Sequence, residues 1–280
     1  MEPAQVSAPS TRDVVWRARR FLRRTWTELR LEVARLRLLR TPDGGVVRAG
    51  GFVLRVTDGP NTYMQYKDEL VRRSYAFTSG RDEPVVIDGG ANIGMFTLAT
   101  LRDHPRARIT AFEPDPSVLA LLRENLDRNG AGHVTVVNAA LGSEDGEMGF
   151  TPDGQAGGML VAAATPMRVR VERLSRYIDR EVDFLKLNIE GAELDVLREL
   201  RDSGRLGQVR SMVIEYHGWP EGEQRLGPLL SLLDDCGFRY LLHDQDEQSN
   251  PRTKPPFVPP GGDPWFALVY AWRADRAPTR

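Results

Sequence analysis

The chain has 280 residues, of which 41% are hydrophobic and 28% are charged, with a formal net charge of -1. This length can bury the core of one large domain, and a charge so close to zero gives no general reason to expect a nucleic-acid partner. Cys236 is the single cysteine, which excludes an internal disulfide and a cysteine-rich zinc site. No apolar run is long enough to span a membrane and no signal-peptide pattern is present, so we expect a cytoplasmic protein.

The first forty-one residues divide into a short polar tail and an arginine-rich segment. Residues 1–10 are small and polar, which predicts a disordered tail. Residues 11–40 contain ten arginines against three acidic residues, and their apolar residues recur at steps of three, four and seven. That spacing predicts a basic amphipathic helix over residues 11–41. Such a helix packs on its own domain or pairs with a second copy to form a homo-oligomer. Binding to a membrane surface or to RNA is the alternative.

Residues 42–80 are predicted to form a cap or lid segment in front of the main domain. One or two short strands are expected within residues 46–56, followed by a turn at 58–61. A mixed polar and aromatic helix is expected from Tyr63 to Phe77, directly before a glycine-rich stretch. Tyr63 and Gln65 are therefore candidates to contact a substrate from this segment.

Residues 81–275 are predicted to form the main domain, in which strands alternate with helices. The predicted strands are 85–88, 109–113, 134–137, 167–171, 184–190, 212–217, 238–242 and 265–272. This alternation predicts a Rossmann-like, mainly parallel sheet with helices on both faces, and the final strand is expected to run antiparallel. Acceptor specificity would reside in a hairpin or loop over the cleft at 142–164, in a loop at 244–264 and in the helix before the glycine-rich stretch.

A glycine-rich turn follows the first strand of this domain. Its candidate ligand-binding residues are Asp88, Gly89, Gly90, Asn92 and Gly94. A strand, a tight turn and a helix N-terminus together leave room for a ligand against the backbone, with free N–H groups to bind it. Glu113 ends the next strand, where a carboxylate can accept hydrogen bonds from both hydroxyls of a ribose. The arrangement predicts a cofactor that contains adenosine.

Two features of this turn distinguish between NAD and S-adenosylmethionine as the adenosine-containing cofactor. NAD needs G-x-G-x-x-G, which is broken here, and Asp88 would repel a pyrophosphate. S-adenosylmethionine is cationic and has no phosphate, so it fits better. In this interpretation Asp88 orients the methionine ammonium directly or through water, while Gly90 and Asn92 supply backbone and amide contacts. Asn138 and Ala139, at the end of the third strand, would lie near the adenine.

Four motifs in sequence resemble those of the FkbM-type branch of the class I S-adenosylmethionine-dependent methyltransferases. They are Asp88–Gly94, Phe112-Glu113-Pro114, Asn138–Gly142 and Leu187–Glu193. The resemblance covers about residues 63–245. It implies the seven-stranded methyltransferase fold, O-methylation of a sugar or natural-product hydroxyl, and cofactor contacts that include Pro114. One departure is that the family commonly has Asp where this chain has Asn188, and an amide cannot act as a base.

Methyl transfer to a hydroxyl needs a positioned acceptor and a base. Positioning and exclusion of water supply most of the catalysis, and a neutral imidazole with a pKa near ~6.5 suits the proton transfer. His217 ends the strand 212–217 and is the candidate base or substrate contact, with Glu215 beside it. Asn188 and Glu190 end the neighbouring strand and would face the methyl group or the acceptor.

Three alternatives remain open from the sequence. Glu190, Glu215 and His217 could hold a divalent metal ion, which is the less favoured interpretation. N-methylation of a small amine needs no strong base and so tolerates Asn188. A non-catalytic binding or scaffold protein would use the arginine-rich helix and keep only a vestigial cofactor cleft. The expected partner is a small hydroxylated acceptor whose identity the sequence leaves undetermined.

Overall fold

The computed structural model describes residues 11–56, 58–152, 158–161, 167–219, 222–243 and 265–274, with side chains described outside residues 11–24 and 152–161. The predicted tail at 1–10 and the predicted loop at 244–264 lie outside these ranges. The strands are, in chain order, β1 (Val46–Ala49), β2 (Phe52–Arg55), β3 (Val85–Gly89), β4 (Arg108–Phe112), β5 (Thr135–Val137), β6 (Ala140–Gly142), β7 (Gly146–Pro152), β8 (Gly158–Val161), β9 (Met167–Arg173), β10 (Phe184–Leu187), β11 (Ser211–Gly218), β12 (Phe238–His243) and β13 (Trp265–Arg273).

In the described ranges, six α-helices accompany these strands. They are α1 (Thr11–Leu39), α2 (Gly59–Gln65), α3 (Met95–Asp103), α4 (Pro116–Arg128), α5 (Glu193–Asp202) and α6 (Leu226–Asp235). A π-helical turn at Tyr66–Val71 continues α2, and short 3₁₀ turns lie at Leu174–Tyr177 and Leu206–Gln208. Among the described residues, no helix is long and apolar enough to cross a membrane.

A seven-stranded sheet forms the centre of the protein, in the order β12-β13-β11-β10-β3-β4-β5. Neighbours from β11 to β5 pair in parallel, whereas β13 pairs antiparallel with both β11 and β12. Side chains on both faces of the central strands are buried, as a parallel sheet covered by helices requires. The Rossmann-like mainly parallel sheet and the antiparallel last strand are both confirmed.

The candidate cleft lies where the order of the strands reverses, between β3 and β10. The chain runs from β3 through β4 to β5 at one edge and then returns to place β10 on the other side of β3. Gly89 pairs with Leu187, and the Asn188 N–H donates to the Gly89 carbonyl at 3.1 Å. Ligands of open α/β sheets bind at such a switch point, beyond the carboxyl ends of the strands.

The excursion predicted at 142–164 contributes to a second sheet. This sheet has four strands in the order β6-β9-β7-β8, with β7 and β8 paired antiparallel as a hairpin. Its small core consists of Ala140, Phe150, Val169 and Val171. Strand β6 starts directly after Ala139, and a Cβ placed on Gly89 would lie 3.0 Å from the Leu141 side chain.

The predicted helix from Tyr63 to Phe77 is wrong at both ends. Helical structure runs from Gly59 to Val71, because the Asp58 side chain accepts from the Asn61 N–H and caps a helix where a turn was expected. At the other end Arg73 has φ 59, a left-handed conformation that a helix cannot contain. The residues after Arg73 form a turn, in which the Ala76 N–H donates to the Arg73 carbonyl at 3.0 Å, and Phe77 then stacks on Phe184 of β10.

Candidate active site

The turn after β3 is held in one conformation by its glycine and asparagine residues. Gly90 has φ 77, and a Cβ at this position would lie 1.9 Å from the Asn188 carbonyl oxygen, so only glycine fits. Asn92 is also left-handed, with φ 50. Its Oδ1 accepts from the Ile93 N–H at 2.7 Å and from Gln65 Nε2 at 3.1 Å. The turn is therefore preorganised, and helix α3 starts only after Gly94.

Glu113 presents a fixed carboxylate beside this turn. Its Oε2 accepts from the Asn92 N–H and its Oε1 from the Asp115 N–H, both at 2.9 Å. Burial raises the pKa of Glu113 to about 7, against the lowering effect of these two N–H groups. Each oxygen keeps a further acceptor position, so the carboxylate fits the predicted contact with ribose hydroxyls.

The motif after β5 lies next to Glu113 but differs in detail from its predicted role. Asn138 Nδ2 donates to the carbonyl oxygens of Glu113 and Pro114, both at 2.9 Å, and so fixes the backbone at the end of β4. Ala139 is fully buried in the core under the sheet. The apolar face that we expected Ala139 to offer an adenine is therefore not on the surface of the cleft.

Asp88 differs most from its predicted role. Its carboxylate is fully buried, accepts from Thr97 Oγ1 at 2.7 Å and pairs with Lys186 Nζ at 3.1 Å. A group so enclosed cannot orient the ammonium of a ligand. Lys186 also neutralises it, which removes the argument that Asp88 repels a pyrophosphate. Asp88 instead holds Lys186, whose ammonium also donates to the Gly90 carbonyl.

Lys186 is a buried charged residue at the candidate site that the sequence analysis did not predict. It lies inside the buried strand β10, paired in register with Asp88. Burial alone would lower its pKa, but Asp88 and Glu69 outweigh that effect and raise it. The ammonium is charged, and it ties the glycine turn of β3 to its neighbouring strand. A single lysine within an apolar strand was the available signal.

The turn after β10 carries two of the predicted catalytic residues. Glu190 has φ 55, which is unusual for a glutamate and is typical of functional sites. Glu193 Oε1 holds the turn by accepting from the N–H groups of Ile189 at 3.2 Å and Gly191 at 3.1 Å. Asn188 Oδ1 is buried and has no hydrogen-bond partner among the described residues. Such an orphaned acceptor at the cleft fits a donor group of a ligand.

His217 lies among three carboxylates at the end of β11. Its Nε2 is 3.4 Å from Glu190 Oε2 and 3.6 Å from Glu215 Oε1, and its Nδ1 is 3.7 Å from Glu193 Oε1. Burial works against the charged form, but the three glutamates outweigh it and raise the pKa of His217 to about 9. The surrounding carboxylates thus favour the protonated ring over the neutral imidazole that the sequence led us to expect.

The segment after α2 covers this side of the cleft. Tyr75 donates its hydroxyl proton to Glu215 Oε2, and burial together with Glu215 raises the pKa of Tyr75 well above its usual range. Burial raises the pKa of Glu69 to about 8, and its Oε2 has no partner among the described residues. Sequence reasoning gave no role to either residue, because neither belongs to a motif.

The two predicted lid residues are placed differently from each other. Gln65 reaches the glycine turn through its hydrogen bond to Asn92. Tyr63 is half-buried, and the pKa of its hydroxyl is raised by burial and then by Glu32 of α1. The structure therefore brings Gln65 to the candidate site and places Tyr63 towards α1.

An aromatic wall, formed by Trp219 and Phe266, flanks the imidazole of His217. The ring centroid of His217 lies 6.1 Å from that of Trp219 and 6.2 Å from that of Phe266. A Cβ on Gly191 would meet the Trp219 ring at 3.1 Å, so the glycine allows this ring to approach the turn. The apolar faces of these rings lie beside the carboxylates that surround His217. This combination suits a ligand with both polar and apolar surface.

The alternative metal site gains no support from this arrangement. Within the described part of the chain, no group of three or more His, Cys, Asp or Glu side chains is arranged to hold a metal ion. A site at Glu190, Glu215 and His217 stays a prediction that activity after chelation would test.

Comparison with known proteins decides the family. The sequence model of the methyltransferase FkbM domain matches residues 88–240, which run from the glycine turn to β12. The chain belongs to the FkbM methyltransferase family. The resemblance stated from the sequence motifs is thereby confirmed.

Curated relatives in this family cover most of the chain. It is 30% identical over 252 residues to 31-O-demethyl-FK506 methyltransferase FkbM of Streptomyces tacrolimicus, which covers 74% of this chain and 90% of that protein. Methyltransferase 1 of Beauveria bassiana is 29% identical, over 65% of this chain and 82% of that protein. The 2-O-methyltransferase NoeI of Sinorhizobium fredii is 26% identical, over 59% and 75%.

Proposed function

We propose that this FkbM family member is an S-adenosylmethionine-dependent O-methyltransferase that acts on a hydroxyl of a sugar or small natural product. The observation that carries the proposal is the meeting of two half-sites at the switch point. The turn at Gly90 and Asn92 with Glu113 makes one half, and Glu190 with His217 makes the other. Two relatives whose names specify O-methylation support the choice of a hydroxyl acceptor.

The residues of the first half fit the proposed cofactor. S-adenosylmethionine would supply an activated methyl group on its sulfonium. Glu113 would accept hydrogen bonds from the ribose hydroxyls. The unpaired Oδ1 of Asn188 would accept a hydrogen bond from a donor on the methionine part of the cofactor. Gly90 allows the Asn188 carbonyl to lie against the glycine turn. Asn138 holds the Glu113–Pro114 backbone, against which the adenosine would lie.

The second half would bind the acceptor and remove its proton. His217 Nε2 and the Glu190 carboxylate face each other at 3.4 Å. A cation bound nearby lowers the pKa of an imidazole by charge repulsion, so a cationic cofactor shifts His217 from its resting value of about 9 towards the neutral form. The neutral Nε2 would then take the proton of the acceptor hydroxyl, and Glu190 would stabilise the imidazolium that forms.

Calorimetry with S-adenosylhomocysteine tests the cofactor half through Glu113. Because the pKa of Glu113 is about 7, we expect affinity to fall as pH drops below 7, by up to about tenfold per pH unit. Glu113→Gln should weaken binding roughly 10- to 100-fold and flatten that pH dependence. Glu124→Gln on the surface of α4 is the matched control and should behave as the parent. Equal affinity of the parent and Glu113→Gln, with both proteins folded by circular dichroism, would overturn the ribose contact.

Transfer of labelled methyl groups to a panel of acceptors tests the reaction class. The proposal expects labelled ethers from hydroxylated acceptors and no product from the same acceptors with the hydroxyl removed. N-methylation is the second candidate, because the Glu190 and Glu215 carboxylates would also hold a protonated amine. Detection of a labelled amine product without a labelled ether would assign N-methylation. Failure to turn over any acceptor, with cofactor bound, favours the non-catalytic alternative. The cytoplasmic location stays a prediction.

A further inference from the structure

The outer face of α1 is a long apolar surface that methyl transfer does not use. Four side chains are exposed along it: Trp26 by 64%, Leu29 by 53%, Val33 by 40% and Leu36 by 50%. They follow one another at steps of three, four and three, so they form one continuous row, here named the outer stripe. Single exposed apolar residues are ordinary, but a row of four on one helix indicates a binding surface.

The opposite face of α1 already binds the body of the protein. Ala34 and Leu38 are buried in a core cluster, and Leu31 packs against it. On this side α1 contacts α2, the π-helical turn and β1. At 100° per residue, Ala34 and Leu36 point about 200° apart around the helix. The helix is therefore docked by one face, and the outer stripe lies on the opposite face.

Charge decides which partner suits the outer stripe. Residues 11–40 carry a net charge of +7, whereas the whole chain carries -1, so the other 250 residues carry -8. Within the described part of the helix, Arg30 and Arg37 follow Leu29 and Leu36 directly, and so flank the row on one side. An anionic partner is attracted to α1 and repelled by the remainder, which fixes the orientation of the whole molecule.

Two other partners fit less well. A second copy of α1 would place another net charge of +7 beside the first, and the two helices would repel each other. In a parallel pair, Glu32 is the acidic residue best placed to offset this repulsion, by facing Arg37 of the other helix. RNA would satisfy the arginines but would leave Trp26 and the aliphatic side chains in water. A surface with negative headgroups above an apolar layer satisfies both the charges and the outer stripe.

We propose that α1 binds the surface of an anionic lipid bilayer. The outer stripe enters the boundary between headgroups and acyl chains, and Arg30 and Arg37 contact the lipid phosphates. The helix of 29 residues is about 44 Å long and lies in the plane of the surface. The remainder of the protein, which carries a net charge of -8, is attached to the other face of α1 and so lies on the side away from the bilayer.

Vesicle flotation with the full-length protein tests this proposal. We expect at least tenfold more protein on vesicles of phosphatidylcholine with about a third phosphatidylglycerol than on phosphatidylcholine alone, and less binding as salt increases. Leu29→Gln/Leu36→Gln should reduce binding to the anionic vesicles at least tenfold. The matched control is Leu241→Gln/Leu242→Gln, which changes two exposed leucines of β12 and should leave binding intact.

Four outcomes would overturn the proposal. The first is failure of the parent protein to bind anionic vesicles. The second is an equal loss of vesicle binding in Leu29→Gln/Leu36→Gln and in Leu241→Gln/Leu242→Gln. The third is a dimer in light scattering that Leu29→Gln/Leu36→Gln converts to a monomer without vesicles, which assigns the outer stripe to a second copy. The fourth is salt-sensitive binding to an RNA oligomer that the leucine changes leave intact, with no vesicle binding. Thermal unfolding of each variant checks that the fold is retained, as expected for exposed positions.

Discussion

His217 is the residue whose chemistry the fold changes most. A free histidine has a pKa near ~6.5, yet Glu190, Glu193 and Glu215 converge on its ring and raise the pKa to about 9. A protonated imidazole can hold two carboxylates and orient an acceptor, but it accepts a proton only after losing its own. The pH dependence of the reaction is therefore a direct readout of the proposed base.

The pH profile of kcat/KM tests this role. Since kcat/KM reports the free enzyme, we expect it to rise tenfold per pH unit and to level off near pH 9. The profile of kcat should level off at a lower pH, because a bound cation lowers the pKa of His217. His217→Gln should lower kcat by about 10²- to 10⁴-fold and remove the inflection. His243→Gln, at the exposed end of β12, is the control, and a profile flat from pH 6 to 9 would contradict the proposed base.

At the scale of elements, one buried ion pair joins the two strands that make the cleft. Asp88 of β3 and Lys186 of β10 are register partners and lie 3.1 Å apart, with both side chains buried. The Lys186 ammonium also binds the Gly90 carbonyl and lies 5.8 Å from the centre of the Tyr75 ring, so it links the glycine turn to the covering segment. The motif around Asp88 is thus a structural support for the turn that faces the ligand.

Removal of Lys186 should expose how much this support contributes. Lys186→Met leaves the Asp88 charge buried and unpaired, which we expect to lower the free energy of unfolding by roughly 3–5 kcal/mol in urea titrations. Asp88→Asn/Lys186→Met should recover part of that loss, because no uncompensated charge remains. Arg239→Met, an exposed cation on β12, is the matched control. The pairing would be contradicted if the double variant lost more unfolding free energy than the two single variants lose together.

At the scale of the whole molecule, α1 has two faces with different uses. Leu38 is fully buried in the core, whereas Leu36, two residues earlier, is half exposed. The helix is thus an integral part of the fold on one side and a free surface on the other. This arrangement ties any partner of the outer stripe to the orientation of the catalytic domain.

Paired alanine substitutions separate the two faces. Leu38→Ala should lower the free energy of unfolding by about 2–5 kcal/mol, because it leaves a cavity in a packed core. Leu36→Ala should change it by no more than about 0.5 kcal/mol, because its side chain lies at the surface. Urea denaturation of both variants measures the difference. Equal effects would mean that α1 does not dock by the face that contains Ala34 and Leu38.

The sequence by itself determined the order of strands and helices, the glycine turn and the family motifs. These features are local, because apolar periodicity and turn residues act over a few neighbouring positions. For that reason the strand patterns ending at Asp88 and Glu113 were recognisable, and so was the basic helix. The turn at 58–61 was misread because a turn and a helix cap use the same residues, and the Asp58 contact to Asn61 decides between them.

Only the tertiary structure decided what the site residues face. Asp88 and Lys186 are 98 positions apart, and Tyr75 and Glu215 are 140 apart, so no local pattern links either pair. The protonation of His217 likewise depends on carboxylates from β11 and from the turn after β10. Charge states of buried groups are set by burial and by neighbours in space, and parallel strands bring those neighbours together from distant parts of the chain.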